Sequence, residues 1–556
     1  MLSYLQQFVN NLNKPKYYLI LVNFLLVFFL ILLSNTGVLP IRMGDFIFFS
    51  FIYLIFALYR PGWSFLFFVG TIALENINLA PDSLGLFVRP YQLIGALTIF
   101  SLLLRYFTKR LNFELVKLKW FDYVIGVFAL AGFLSSFFAI NKGVAFKQSI
   151  IIFSFSALYW LVRNYIQTLE DLKRIMPFFL GSSIIVVFYG IWQNILFLRG
   201  SNSFEVMPGR PNSVFTEADW LGIFIVILIA VIYTIIYQIS NSPNYLISKQ
   251  IPNLNFQNTK YKILDTKYFT LAVCYLFLIP VFILLILTVS RSAWLGAGFI
   301  TLVFSKASFT NFSFHPKDWQ GKQFLSILQF LAIAIICSIG IVYVFHLTNF
   351  QLFNRAQSTG SGMQKITIAC DVSRLNLDTL PEIDTLPEKI GDIPELEQYG
   401  CRHINLEDIN QEREAGFEIR EIYRADPNMS IRSQIYQKSI EQIKTHPIFG
   451  IGWGNISSVL GKDERGTGLN SSNIFLEVWL GSGIIGLLAF LAIWVYIFVK
   501  SVVYCMRNDS ESKIIGLFMN LGFFALLIPN LFNAGVYLGF LWVYFGIALS
   551  LSFKKE

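Results

Sequence analysis

Residues 431–488 read IRSQIYQKSIEQIKTHPIFGIGWGNISSVLGKDERGTGLNSSNIFLEVWLGSGIIGLL. Ile431, Ile435, Tyr436, Ile440 and Ile443 recur at helical spacing. Asp426 and Pro427 supply a cap and a first helical position. The spacing predicts an amphipathic helix over about 428–445. His446-Pro447 and the glycines after it end that helix, and Gly483 and Gly486 open a long apolar one. The stretch therefore joins a polar loop to a membrane span, and the chain upstream of it reads as a membrane scaffold.

The composition supports this. The chain has 556 residues, 55% of them hydrophobic and 17% aromatic, but only 14% charged. Soluble domains carry about 25% charged residues. The net charge of +9 fits the Lys and Arg that collect in cytoplasmic loops. No basic run interleaved with aromatics forms a nucleic-acid groove.

A helix needs about 20 apolar residues to cross the hydrocarbon core. Candidate spans are 17–34, 45–59, 62–76, 91–107, 122–140, 148–166, 175–198, 220–239, 268–289, 293–305, 326–346, 483–500, 514–533 and 535–552. The expected fold is all-α, a polytopic bundle of roughly 12–14 spans, with one long extracytoplasmic loop containing short helices. Tyr17–Ser34 is followed by no small-residue cleavage pattern and reads as a first span. One alternate set of loops holds Arg105, Lys109, Arg110, Lys117, Lys119, Lys173, Arg174, Lys306, Lys317, Lys500, Arg507 and Lys513. The positive-inside bias puts that set, and both termini, in the cytoplasm. Segments 77–90, 199–219, 290–292 and 347–482 then face outside. Expected domains are a bundle over 1–346, the loop over 347–482 and C-terminal helices over 483–556.

The long loop changes composition, with 16 of the chain's 34 acids lying between Phe353 and Thr445. Leu380–Glu397 is punctuated by prolines and reads as extended surface or a small subdomain. Cys370 and Cys401 flank it. Outside the cytoplasm a disulfide between them is possible, and two free thiols are the alternative. Cys274, Cys337 and Cys505 lie in apolar segments, and no cysteines have metal-ligand spacing.

Charges at membrane level are costly and mark function. Arg291, in Ser290-Arg291-Ser292-Ala293-Trp294-Leu295-Gly296, sits in a tight hairpin at the outer ends of two spans. Arg210 lies in the outer segment GRPNSVFTEADW, with Glu217 and Asp219 capping the next span. Arg432 begins the loop helix, where a solvated surface role is the competing reading. Several arginines at one face suit a phosphate or diphosphate group.

SRSAWLG at a span start, then IRSQIYQKSIEQIKTHPIFGIGWGN in a large loop, then SSNIFLEVWLGSGIIGLLAFL, together resemble the bacterial O-antigen ligase and O-antigen polymerase family. The resemblance covers about residues 280–500. It implies a membrane glycosyltransferase acting on the outer face of the cytoplasmic membrane in cell-surface polysaccharide assembly. Such an enzyme moves a glycan from a polyprenyl (undecaprenyl) diphosphate carrier to a glycan, lipid or protein acceptor. It needs no metal and no cofactor, and its partners besides membrane lipid are those two substrates. By motif position Arg291 and Arg432 bind the diphosphate, and Arg210 joins them.

One position departs from the family pattern. The ligases have His-Asn, nine residues, then Gly-x-x-Gly. Asn473, Gly483 and Gly486 match, but Ser472 stands at the histidine. A serine does not accept a proton near neutral pH, although Ser472 can position a hydroxyl or a water. His446, Glu477, Asp463 and Glu464 remain as bases, with His446 the nearest in its turn, where contact with the last helical carbonyls is an equal reading. Little base catalysis is a further alternative, since diphosphate is a good leaving group. A transporter or flippase competes with the enzyme reading, as does a protein O-oligosaccharyltransferase. Transporters place polar groups at mid-span on broken, repeated helices, whereas here the spans are poor in charge.

Overall fold

The computed structural model describes residues 15–111, 113–206, 209–241, 256–313, 315–347, 363–371, 387–391, 393–404, 409–425, 427–462 and 468–553. The expected Asp426 cap and the candidate bases Asp463 and Glu464 lie outside these residues. The chain divides into two compact units, residues 1–341 with 439–556, and residues 342–438.

The larger unit is helical. Its elements are α1 (Pro15–Asn35), α2 (Met43–Tyr59), α3 (Pro61–Thr71), α4 (Pro90–Phe107), α5 (Trp120–Phe138), α6 (Lys142–Tyr165), α7 (Leu169–Leu198), α8 (Ala218–Asn241), α9 (Phe256–Leu287), α10 (Arg291–Thr310) and α11 (Gly321–Val344). All fourteen candidate spans are helical, the last three falling on helices given below. Among the described residues nine helices are long and apolar enough to cross a membrane, and Met43–Tyr59 and Gly539–Leu551 are shorter apolar helices. The expected 62–76 span is cut to α3, whose 11 residues rise only about 16 Å, so this segment does not cross by itself.

Apolar residues around the whole circumference of α8 mark a central helix, and 89% of its apolar window is buried. Peripheral α2 instead exposes Ile47, Phe48, Phe49 and Phe51, as a lipid-facing helix does. Mid-span polar groups clasp helices together: Asn23 Nδ2 of α1 donates to Ser182 Oγ of α7 at 2.9 Å.

In the smaller unit, β1 (Met363–Cys370), β2 (Lys389–Ile390), β3 (Cys401–Ile404) and β4 (Glu418–Ala425) form a sheet in the order β2-β4-β1-β3. β1 is antiparallel to both neighbours, and β2 is parallel to β4. The unit adds α12 (Ile409–Glu414) and the start of α13 (Pro427–Thr445). Ile366, Ile368, Ile390, Leu396 and Ile422 form its core, and a disulfide joins Cys370 to Cys401 across β1 and β3. The loop expected to contain short helices thus also holds a small sheet. Ile366 and Ile368 alternate along β1 and bury one face.

From Ser439 the chain belongs to the helical unit, with α14 (Ile456–Leu460), α15 (Ile474–Cys505), α16 (Ser510–Asn530) and α17 (Gly539–Leu551). The expected helix opening at Gly483 begins nine residues earlier, at Ile474, and Gly483 interrupts it with φ 68° and ψ −172°.

Candidate functional site at one end of the helical unit

The glycine-rich turn after α13 fills the break in α15. Because Gly483 leaves helical geometry, the Leu480 carbonyl is free to accept from the amides of Ile451 at 2.8 Å and Gly452 at 3.2 Å. The Ile484 amide reaches the Pro447 and Ile448 carbonyls, both at 3.2 Å, and Trp479 Nε1 donates to Pro447 O at 3.1 Å. A side chain is excluded on both strands of this contact. A Cβ on Gly483 would lie 1.9 Å from Ile448 O, and one on Gly450 would lie 2.4 Å from Leu480 O. Trp453, fully buried, packs in the slot beside Gly481 and Gly132. Asn455 exchanges hydrogen bonds with the Asn141 backbone, at 3.1 and 3.3 Å. HPIFGIGWGN is thus a wedge that fixes the first nine residues of α15.

Those residues begin at a braced turn. Asn473 caps α15, its Oδ1 accepting from the Phe475 and Leu476 amides at 2.9 and 3.2 Å. Glu477 is buried, and its Oε2 accepts from the Ser471 amide at 2.8 Å. Ser471 Oγ donates to the Asn473 carbonyl at 2.9 Å. Ser472 is held between them at φ 52°, half-buried, its amide donating to Asn470 Oδ1 at 2.9 Å. In this arrangement Glu477 orders the turn that presents Ser472.

The arginine turn lies between α9 and α10. Val289 sits at φ 52°, an outlying conformation for a β-branched residue, and Arg291 begins α10 directly after it. Arg210 reaches this turn from the segment before α8: its Nε donates to Thr288 O at 3.1 Å, and its Nη2 pairs with Asp219 Oδ1 at 3.3 Å. Arg210 is anchored in turn through Ser213, at φ 49°, whose amide donates to Gln193 Oε1 at 2.6 Å and whose Oγ donates to Val186 O at 2.8 Å.

The α16–α17 connection ties the arginine turn to the braced turn. Asn473 Nδ2 donates to Leu531 O at 3.1 Å, and Asn533 Nδ2 donates to Ser292 Oγ at 3.0 Å. Beneath lies a buried ion pair, Arg89 Nε with Glu75 Oε2 at 2.7 Å. The same Glu75 carboxylate accepts from Tyr91 Oη at 2.8 Å and from the Gly539 amide at 2.7 Å. The Glu75 and Asn76 amides donate to Val214 O at 3.1 and 2.8 Å. Tyr537 is buried within electrostatic reach of both Arg89 and Glu477.

The structure therefore gathers Arg210, the turn of Arg291, Ser472 and Glu477 at one end of the helical unit. Sequence reasoning missed Glu75 and Asn533. Glu75 was legible as an acid directly after an apolar run, and Asn533 as one of two asparagines between two spans. His446 is exposed at the end of α13, its Nδ1 within 2.9 Å of Thr445 Oγ1. Arg432 is half-buried on the part of α13 that belongs to the smaller unit. Glu205, in the segment leading to Arg210, accepts on Oε2 from the Gly209 amide at 2.9 Å and from Ser203 Oγ at 3.2 Å. Its Oε1 is buried without a protein partner, and burial pushes the carboxyl up to about 7.

At the opposite end lie the contacts of Lys513 with Asn311 O and of Arg163 with Asp122, at 2.9 and 3.2 Å. A cleft of about 660 Å³ also opens there between α9 and α11. Its wall of Tyr268, Tyr275, Phe330 and Ile333 is apolar, and Lys267 at its edge donates to Ser240 O, so no polar constellation converges on it. Among the described residues no group of His, Cys, Asp and Glu is arranged to hold a metal ion.

No curated protein and no solved structure matches the chain. Residues 276–491 match the family model described as O-antigen ligase, a stretch that includes the arginine turn, the wedge and the braced turn of α15. The chain is a multi-pass membrane protein, and over residues 276–491 it is similar to the O-antigen ligase family.

Proposed function

We propose that this protein is a glycosyltransferase that moves a glycan from a polyprenyl-diphosphate carrier to an acceptor hydroxyl. Arg291 and Arg210 hold the diphosphate. The observation that carries the reading is the tie between Arg210 and the carbonyl of Thr288, three residues from Arg291, inside an end of the molecule that the family's domain helps to build. In the reaction the acceptor oxygen bonds to the anomeric carbon and gives up its proton. The bond from that carbon to the diphosphate oxygen breaks, and the electron pair leaves with the diphosphate. Fixed guanidinium charge stabilises that leaving group without rearrangement, and no metal has a step in this scheme.

Ser472 positions the acceptor hydroxyl or a bridging water, and the buried, hydrogen-bonded Glu477 keeps Ser472 in place. His446 is the remaining described base of the motif region. The site end faces outside the cytoplasmic membrane. Two features support this: Lys513, Lys306 and Lys500 belong to the opposite end, as the positive-inside rule requires of the cytoplasmic face, and the disulfide of the smaller unit suits an oxidising compartment. The absence of the ligases' histidine favours a polymerase, with a glycan as acceptor.

The test is reconstitution in liposomes with a polyprenyl-diphosphate oligosaccharide, reading the release of polyprenyl diphosphate. Arg291→Ala should abolish release while the protein still inserts. Release at the parent rate in that variant refutes the assignment of Arg291.

A further inference from the structure

The two turns of the site come from distant parts of the chain, and neither is held by its own helix alone. The arginine turn passes through Val289 at φ 52°, a conformation that local sequence does not favour. Arg210 grips it at Thr288 O, before the strained residue. On the other side of the strained residue, beyond Arg291, Asn533 Nδ2 reaches in from the α16–α17 connection and donates to Ser292 Oγ at 3.0 Å. Ser292 Oγ in turn lies 3.3 Å from Ser290 Oγ, so the hydroxyls flanking Arg291 share one hydrogen-bond chain that ends on Asn533. The Asn533 amide group also donates to Pro529 O at 2.9 Å, which fixes its rotamer.

Two residues before Asn533, Leu531 O accepts from Asn473 Nδ2 at 3.1 Å. Asn473 is the cap of α15 and the residue after Ser472. The segment 531–533 is thus a bracket. One arm is a backbone carbonyl gripping the Ser472–Asn473 turn, and the other is a side chain gripping the Arg291 turn. Two residues of backbone reach at most about 7 Å, so the bracket sets a short separation between the group that handles the acceptor and the group that handles the diphosphate. Asn533 lies outside residues 276–491, the stretch that the O-antigen ligase family model matches.

We propose that Asn533 is a positioning residue that holds the Arg291 turn in register with the Ser472–Asn473 turn. Its consequence for catalysis rests on the glycosyl-transfer reading above. The bracket itself does not depend on that reading.

The experiment uses the full-length protein in lipid nanodiscs, as the parent, Asn533→Ala, Asn533→Gln, Ser292→Ala and the double variant. Hydrogen exchange of the 288–292 and 473–476 amides reads the bracket. Release of polyprenyl diphosphate from a polyprenyl-diphosphate oligosaccharide reads the reaction. Asn533→Ala should speed exchange in both segments and lower kcat about tenfold with little change in donor KM, because misplacement is felt most as charge develops on the leaving group. Asn533→Gln, which keeps the carboxamide, should recover part of the loss. Ser292→Ala in the Asn533→Ala background should cost nothing more. Unchanged exchange in the 288–292 segment overturns the proposal, as do multiplicative losses in the double variant. A parent that shows the exchange coupling but releases no carrier overturns the transfer reading and leaves the bracket standing.

Discussion

Replacing Glu75 by alanine should unfold the helical unit. The carboxylate is fully buried and serves three partners: the Arg89 guanidinium, the Tyr91 hydroxyl and the Gly539 amide. Removing it leaves Arg89, itself only 9% exposed, as a buried charge without its ion partner, which costs about 3–5 kcal/mol. The stranded Tyr91 and Gly539 donors add about 1–3 kcal/mol each. Even with strong non-additivity the loss is at least about 5 kcal/mol, comparable with the whole stability of many domains. Glu75→Ala should therefore fail to accumulate as a monodisperse species on fluorescence-detected size exclusion. Arg89→Met in the same background removes the uncompensated charge and should recover roughly 3 kcal/mol, read as the return of a monodisperse species on size exclusion. A Glu75→Ala protein with the parent midpoint, or a double variant that accumulates no better than Glu75→Ala, would refute the account of this pair as the support beneath the site.

Three other outcomes follow from the geometry. Gly483→Ala places a Cβ 1.9 Å from Ile448 O at a positive φ, so it should expel the wedge and lower stability by about 3 kcal/mol or more, read as a fall in thermal midpoint. Glu205 has a folded carboxyl raised to about 7, above the unfolded value near 4.3. The folded state therefore binds more protons between those values, stability declines as pH rises from about 4 to 7, and Glu205→Gln should flatten that decline. Cys370 and Cys401 close a loop with a sequence separation of 31. Cys370→Ser should cost the smaller unit about 3–4 kcal/mol, measured as faster proteolysis within 342–438, and in intact cells a membrane-impermeant reductant should expose both thiols to labelling. Labelling that requires permeabilised cells would reverse the orientation.

The spans were legible because a helix crossing lipid leaves an apolar run about 20 residues long, and such runs need no tertiary information. The glycines of HPIFGIGWGN were legible only as helix breakers. Their reason, a backbone inserted into the break at Gly483, is a contact between segments 28 to 37 residues apart. Glu477 read as a candidate base because a carboxylate near a motif looks available, whereas its burial and its bond to the Ser471 amide make it a brace. The sheet of the smaller unit escaped because its alternating strand Met363–Cys370 pairs with partners more than 30 and nearly 50 or more residues away. Asn533 escaped for the same cause: its partner Ser292 is 241 residues distant.

Strained backbone and arginine side chains coincide at one end of the helical unit. Ser213, Val289 and Ser472 all hold positive φ, at roughly 1–2 kcal/mol each. They stand three residues from Arg210, two from Arg291, and one before Asn473, the cap of α15. Each is held there by side-chain contacts: Ser213 by Gln193 and the Val289 turn by Arg210 and Asn533, from distant elements, and the Ser472 turn by its neighbours Asn470 and Glu477. At the opposite end Lys109, Asn311 and Phe312 also hold positive φ, Asn311 as the left-handed C-cap of α10. Non-glycine strain that needs outside support persists where function selects it. What sets this end apart is that its strained residues adjoin Arg210 and Arg291 and that Asn473 and Ser292 are tied through residues 531–533. The proposed reacting centre accordingly lies between residues 288–292 and 471–477.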